Sequence, residues 1–353
     1  MAQSQPLKRI PFEDEDRISK LPDCLLVEIL SRISSTKDAV RTGTLSKRWK
    51  HLWTWVSSLV FLHPYETHCR TNPDFFSFVD QTLTQRRPLK LQKFKVHSRY
   101  NHHLESHIHN WIRYAVSCNV EDLHLTLWGL ERRTEFPLDQ FVFISSCFTH
   151  LTLAGCAFNP TGAISWENLR SLRIWCGNLD EDLIQNVLSG SPVLNTLVLD
   201  NCYGYRRLNI TSKSVKNLVF SGYMHRRISD VSDVIEINAP NILSLKIEDD
   251  LMLWKLLLLD VSSLVEARLD YTKRFRHSGT TAEEAKEAEE EEMLTGFILN
   301  LLHVKHLKIG ISCFKVLTRL KAKGFLPPSN LKILNRASSS LYYDNGPKGY
   351  ILY

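Results

Sequence analysis

Glycine is scarce in this chain, 14 in 353 residues, and none of it forms a phosphate-cradling G-x-x-x-x-G-K-[ST] or G-x-G-x-x-G loop. A G-x-S-x-G nucleophile elbow is missing too. The eight cysteines (Cys24, Cys69, Cys118, Cys147, Cys156, Cys176, Cys202 and Cys313) include no C-x-x-C pair. In a chain far longer than a disulfide-stapled miniature, that spread predicts reduced thiols and an intracellular setting, nucleus or cytoplasm. No apolar run reaches the roughly 20 residues of a membrane-spanning helix; the longest candidate, Leu251 to Leu259, is interrupted by Lys255. The start, MAQSQPLKRIPFEDED, lacks the apolar centre of a secretory signal. Strong charge of one sign is also lacking. The formal net charge is +6, and basic residues occur as scattered pairs such as Arg132-Arg133, Arg206-Arg207 and Arg226-Arg227. A nucleic-acid interface needs them clustered with aromatics. Neither a membrane nor a nucleic acid is therefore an expected partner.

What is present falls into two patterns. The first runs from Asp16 to Val56. Leu21-Pro22-Asp23 reads as a helix start, with proline preorganised for the first helical position and the aspartate favoured by the helix dipole. Leu25, Leu26, Ile29, Leu30 and Ile33 follow as one helical stripe. Ser35-Thr36-Lys37-Asp38 suggests a capped second helix, with Ser35 accepting from a free backbone N–H. Ala39, Val40 and Leu45 form its apolar face. A third helix places Trp49, Leu52, Trp53 and Val56 on one side. About forty residues cannot bury so much leucine and tryptophan alone, so part of the surface should meet a partner.

The second pattern is a repeat. The template apolar-x-x-Leu-x-apolar fits nine places, from Leu91-Phe94-Val96 through Val120-Leu123-Leu125, Phe148-Leu151-Leu153, Leu169-Leu172-Ile174, Leu194-Leu197-Leu199, Val215-Leu218-Phe220, Ile242-Leu245-Ile247 and Leu264-Ala267-Leu269 to Val304-Leu307-Ile309. A weaker match ends at Leu331-x-Ile333. Most spacings fall in the leucine-rich-repeat period of about 20–29 residues. One inward face per strand cannot be buried in isolation, so the copies should stack into a curved parallel sheet. Phe75, Phe78, Val79 and Leu83, then Trp111, Ile112, Ala115 and Val116, then Leu183, Ile184, Val187 and Leu188 predict helices in the return segments. Cys or Asn after a strand (Gly155-Cys156, Cys176, Asn201-Cys202, Asn241) suits a tight turn, which makes these cysteines structural.

Two further stretches carry charge or ligand-type side chains. Gly279 to Glu292, GTTAEEAKEAEEEE, reads as an acidic insertion forming a solvated loop or exposed helix. In NHHLESHIHNW, His103 and His107 are four apart, the spacing that puts two imidazoles on one helix face. A third ligand at fixed spacing is missing, so His102, His103, His107 and His109 read as surface residues rather than a zinc site.

The first segment resembles an F-box of the plant type, carried by Asp16-Arg17-Ile18-Ser19, Leu21-Pro22-Asp23, Ile29-Leu30-Ser31, Leu45-Ser46-Lys47-Arg48-Trp49 and Leu52-Trp53 in order. Gly43 departs from it, and a helix-interior glycine costs about 0.5–1 kcal/mol relative to alanine. With the repeats, the chain resembles plant F-box/leucine-rich-repeat proteins of the type that often end in an FBD region, which is not evident here. The implied fold is α/β: a flexible start (1–15), a small three-helix F-box (16–60), a leucine-rich-repeat solenoid (61–334) with its insertion at 279–292, and an irregular tail (335–353). The resemblance implies a non-catalytic adaptor of a Skp–cullin–F-box ubiquitin ligase, without a cofactor. Leu21, Pro22, Ile29, Leu30, Leu45, Trp49, Leu52 and Trp53 would meet the Skp-type adaptor, through it cullin, with the tryptophans as hot spots. An unknown target protein would lie on the concave face, near His124, Thr126, Trp128, Arg173, Trp175, Asp200, Lys246 and Glu248. The rival readings are a repeat scaffold that joins no ligase, and an enzyme built on the histidine cluster.

Overall fold

The computed structural model describes residues 18, 20–63, 73–129, 135–223, 234–274 and 283–333. In chain order the strands are β1 (Ser58–Leu62), β2 (Lys93–Tyr100), β3 (Asp122–Gly129), β4 (Phe136–Pro137), β5 (His150–Ala154), β6 (Cys156–Ala157), β7 (Ser171–Trp175), β8 (Thr196–Asp200), β9 (Arg207–Asn209), β10 (Asn217–Tyr223), β11 (Val234–Asn238), β12 (Ser244–Leu251), β13 (Lys255–Asp260), β14 (Glu266–Lys273), β15 (His306–Ile309) and β16 (Leu331–Ile333). Eleven of them form one sheet in the order β1-β2-β3-β5-β7-β8-β10-β12-β14-β15-β16. Every pairing in it is parallel.

The register explains why the repeat template works. Leu59, Phe94, Leu123, Leu151, Leu172, Leu197, Leu218, Leu245, Ala267, Leu307 and Leu331 stand side by side across the sheet. A second row two residues on runs from Phe61 and Val96 to Ile309 and Ile333. Strand side chains alternate between faces, so both rows point inward, and from Leu59 to Ile309 they are buried. All nine sequence matches are strands. The first strand, β1, escaped the sequence reading although Val56-Leu59-Phe61 fits the same template. Val56, just ahead of it, counts in the sequence pattern as the last apolar position of the third helix, and the expected boundary at 60/61 falls inside β1.

The layer behind this sheet is mixed. The predicted return helices are present as α4 (Pro73–Gln85), α5 (Glu105–Ser117) and α7 (Glu181–Gly190), preceded by α1 (Asp23–Ser31), α2 (Thr36–Arg41) and α3 (Trp49–Leu52). A short α6 (Gln140–Phe143) and, later, α8 (Glu283–Asn300) and α9 (Ile311–Ala322) complete the set. Between α7 and α8 the returns are strands instead: β9, β11 and β13 form a second parallel sheet. Leu208, Ile235, Ile237, Leu256 and Leu258 are its buried positions, which is strand alternation rather than a helical stripe. Gln185 of α7 bonds Asn209 O at 2.8 Å on one side, and Lys255 reaches Glu292 of α8 at 2.7 Å on the other.

The N-terminal helices are continuous with the array. Short 3-10 turns extend α2 (Thr42–Thr44) and α3 (Trp53–Trp55). Thr36 Oγ1 accepts from Val60 N at 2.7 Å, so α2 covers the free edge of β1. Ser57 N donates to Ser31 Oγ at 3.1 Å. The buried Arg86, at the end of α4, donates through Nε and one terminal nitrogen to Val56 O (3.3 and 2.8 Å) and through the other to Leu89 O and the Tyr114 hydroxyl. Ser35 occupies the N-cap position of α2 as expected, but its side chain makes no capping bond. Gly43 is not a helix-interior weakness: it sits in the 3-10 turn, where an added Cβ would lie 3.3 Å from the Lys50 backbone.

The turns after the strands follow the predicted chemistry. Gly155, Cys176 and Asn201 follow β5, β7 and β8 with positive φ, and Gly222 and Asp249 repeat that conformation inside β10 and β12. A Cβ on Gly155 would lie 1.7 Å from Leu127 O, so no other residue fits there. Asn241 differs from the expectation, since it precedes β12 and holds Thr211 O at 2.8 Å. Cys156, Cys202 and Cys313 are buried, with sulfurs aimed at the carbonyls of Ala154, Ile174 and Tyr271. Burial pushes all three thiols up, Cys313 to about 12, which leaves them without thiolate character.

Candidate functional site

The eight adaptor-contact candidates separate into two groups. Leu30, Trp49, Leu52 and Trp53 are 2–6% exposed and belong to the continuous core. With so little surface left, the tryptophans pack into the core and offer a partner little area, whereas the sequence reading expects them at the centre of the contact. Pro22, Ile29 and Leu45 are exposed, and Leu21 is half-buried against the core. The doublets Leu25-Leu26 and Ile29-Leu30 explain the division. Residues one apart on a helix diverge by about 100°, so one member of each doublet enters the core and the other leaves it. Leu26 and Leu30 are buried, whereas Leu25 and Ile29 are 48% and 44% exposed on one face of α1.

Two further exposed apolar residues of this segment, Leu25 and Ile18, are absent from the eight candidates. A stripe of doublets is itself the signal: it is wider than one-sided burial needs. Leu45, at 68%, is more exposed than Ile18, Leu25 or Ile29. Arg48 ties the segment after it to the start of α1, donating to Asp23 Oδ1 at 2.7 Å and to Leu21 O at 2.5 Å. Asp16, Arg17 and Ser19 lie outside the described residues.

The solvent side of the large sheet is the second candidate surface. One row across all eleven strands reads Val60, Lys95, His124, Thr152, Arg173, Val198, Val219, Lys246, Arg268, Lys308 and Lys332. It carries six Lys or Arg and no acid. The next row holds Ala154, Trp175, Asp200, Ser221, Glu248 and Asp270 side by side. Arg268 reaches Asp270 at 3.3 Å and Glu248 at 4.0 Å. Lys308 pairs with Glu266, and His124 meets Asp122 at 2.7 Å. Arg173 is held more loosely, 3.8 Å from Asp200. Burial pushes the Asp200 carboxyl up to about 6; Asp249 adds to this, and Arg173 opposes it. Trp128 and Trp175 pack edge to face with centroids 4.8 Å apart, and Trp128 Nε1 donates to His97 Nε2 at 3.1 Å. Neither ring belongs to the core cluster.

The histidines and glutamates are engaged locally. His103 lies in a 3-10 turn ahead of α5, so it does not share a helix face with His107. His107 Nδ1 meets Asp80 at 2.8 Å, and His109 stands 3.1 Å from Asp139. His109 is only 17% exposed, unlike the surface residue expected. No group of three or more metal-ligating side chains occurs among the described residues. Of the acidic run, residues 283–292 open α8. Glu290 bonds Arg319 at 2.5 Å, Glu291 bonds Lys323 at 2.8 Å, and Glu289 bonds Lys273 at 2.6 Å. These glutamates cross-link α8 to α9 and to the sheet, in place of the solvated loop or exposed helix expected.

The comparisons with known proteins agree with this division of the chain. Residues 18–61 match the F-box domain model, and residues 83–315 match the leucine-rich-repeat domain of the At1g61320/AtMIF1 type. F-box/LRR-repeat protein 25 of Arabidopsis thaliana is 30% identical over 66% of this chain and 86% of its own length. F-box protein At5g03100 of the same plant is 30% identical over 89% of this chain and 94% of its own. Two further Arabidopsis relatives, both 33% identical over 73% of this chain, are covered over only 53% and 62% of their length. The chain thus spans about half to two thirds of some curated relatives and nearly all of others. Helical F-box, eleven-stranded parallel array and matched models lead to one conclusion: the chain belongs to the plant F-box/LRR-repeat family.

Proposed function

We propose that this protein is the substrate-recognition adaptor of a Skp–cullin–F-box ubiquitin ligase, active inside the cell, in the nucleus or cytoplasm. The observation that carries the reading is the apolar face of Leu25 and Ile29 on α1, together with the exposed Leu45 of the same N-terminal segment, all left outside the core. F-box domains generally bind Skp-type adaptors, and the adaptor in turn reaches cullin. The array would hold a target protein so that its lysines lie within reach of charged ubiquitin. The rate gain is then proximity, supplied by binding and not by a reactive side chain of this chain. In support, the array offers a long row of mostly polar, half-exposed side chains across one sheet.

The test is capture of a purified Skp-type adaptor by the full chain. Leu25→Glu with Leu45→Glu should weaken capture at least about 100-fold, because two buried apolar contacts are lost and two charges desolvated. Melting of the repeat array should stay unchanged. Trp49→Ala, by contrast, should lower F-box stability by about 3–5 kcal/mol as a core truncation. No capture by the unaltered chain would leave the non-ligase scaffold as the better reading.

A further inference from the structure

On the sheet's solvent side, the row Arg173, Val198, Val219 and Lys246 has a distinctive order. Two cations stand at its ends and two valines form the floor between them, on four adjacent strands. Neither cation donates a hydrogen bond to a carboxylate among the described residues, although Asp200 and Glu266 act on Arg173 and Lys246 at longer range. Arg173 lies 3.8 Å from Asp200, beyond hydrogen-bond reach, while Asp200 Oδ1 is taken by Asn201 Nδ2 at 3.1 Å. Its Nε is buried and has no hydrogen-bond partner among the described residues, so the exposed part of the guanidinium is its terminal end. Lys246 makes no ion pair among the described residues, its bonded neighbours in the row being Val219 and Arg268. Beside Arg173 on the same strand and face, Trp175 leans on Trp128 and gives the Arg173 end an aromatic wall. Aromatics and arginine are the side chains most enriched at interface centres.

The spacing selects a ligand shape. Three strand intervals of about 4.8 Å separate Arg173 from Lys246, about 14 Å in all. An extended chain rises about 3.4 Å per residue and shows positions i, i+2 and i+4 on one face, so four residues also span about 14 Å. A helix would cover only about 6 Å in four residues and would not reach both ends.

We propose that Arg173, Val198, Val219 and Lys246 form a track for an extended acidic segment of a partner protein. Carboxylates at i and i+4 bond Arg173 and Lys246, and an apolar side chain at i+2 rests on the valines. This deepens the reading of the array as the target-holding part and rests on it. A carboxylate on Arg173 replaces a loose ion pair with a direct charged hydrogen bond, the stronger kind.

The probe is a fluorescent, end-blocked peptide containing Asp-Ser-Leu-Ser-Asp, measured by anisotropy with the full chain at low salt. Two controls are the same peptide with the aspartates adjacent and the same peptide with lysines for aspartates. The first should bind at least about tenfold tighter than either control, and Arg173→Gln or Lys246→Gln should each weaken it about tenfold. Equal affinity for the adjacent-aspartate peptide, no binding at millimolar peptide, or unaltered affinity in both variants would overturn the proposal. The spacing comparison uses only unaltered protein, so it decides even if a variant misfolds. Capture of the Skp-type adaptor by the same preparation reports on ligase membership separately, and its loss leaves the peptide result standing.

Discussion

Replacing Arg86 by methionine tests whether the F-box and the array are one folded body. Arg86 is 3% exposed and bonds carbonyls and a hydroxyl, with no carboxylate partner among the described residues. Val56 O takes two of its donors, and Val56 itself is 1% exposed, so water has little access to replace them. Leaving a buried acceptor unpaired costs about 1–3 kcal/mol. The bonds to Arg87 O and Leu89 O lie nearer the surface and add less. Removing a buried cation returns some desolvation energy. The net expectation is a loss of about 2 kcal/mol at the junction, with lysine intermediate because its single ammonium cannot span the same acceptors. Repeat arrays need not unfold as one unit, so amide exchange is the better readout than a global midpoint. Protection of the β1 amides should fall by about 30-fold in Arg86→Met, the equivalent of about 2 kcal/mol. Protection in β12 and β14 should hold. Equal loss across the whole sheet, or no loss at β1, would refute the reasoning.

Two other perturbations follow from the sheet. For Asp200, the folded pKa of about 6 lies above the ordinary 3.8. Well below pH 3.8 both states are protonated; between about 4 and 6 the unfolded state ionises first, so this group's contribution to stability is lost as pH rises. Asp200→Asn removes that loss and should gain about 3 kcal/mol on the wild type between pH 4 and 7 by denaturant unfolding; a pH-independent difference would contradict the burial argument. Ala267 is the one small residue in the first inward row and is fully buried. Ala267→Leu restores the repeat pattern yet should destabilise by about 1–3 kcal/mol through overpacking, as read by thermal melting. A stabilised variant would mean that the space beside it is open.

How much was legible followed the range of the interaction involved. The nine strand matches and the helices of Phe75–Leu83 and Leu183–Leu188 were readable because alternation and the 3.6-residue stripe are set by neighbours along the chain. Val56-Leu59-Phe61 carried the same signal but adjoined a helix, and a boundary between two periods is hard to place locally. Of the adaptor-contact set, the sequence marked the right segment without sorting it. Only packing decided that Leu26, Leu30, Trp49 and Trp53 go inward while Leu25, Ile29 and Leu45 stay out.

The sequence by itself determined that this chain has a helical F-box followed by stacked leucine-rich repeats, because each repeat must bury an inward row it writes in its own residues. The tertiary structure alone decided what comes together across repeats. It set the glutamates of α8 against Arg319 and Lys323, which lie about thirty residues further on. It turned the returns between α7 and α8 into a second sheet. It also aligned Arg173, Val198, Val219 and Lys246, which are strangers in sequence and become neighbours only through parallel register. Inward positions repeat, so a sequence announces them; outward positions are free to vary, and their meaning arises only from the side chains that stacking places beside them.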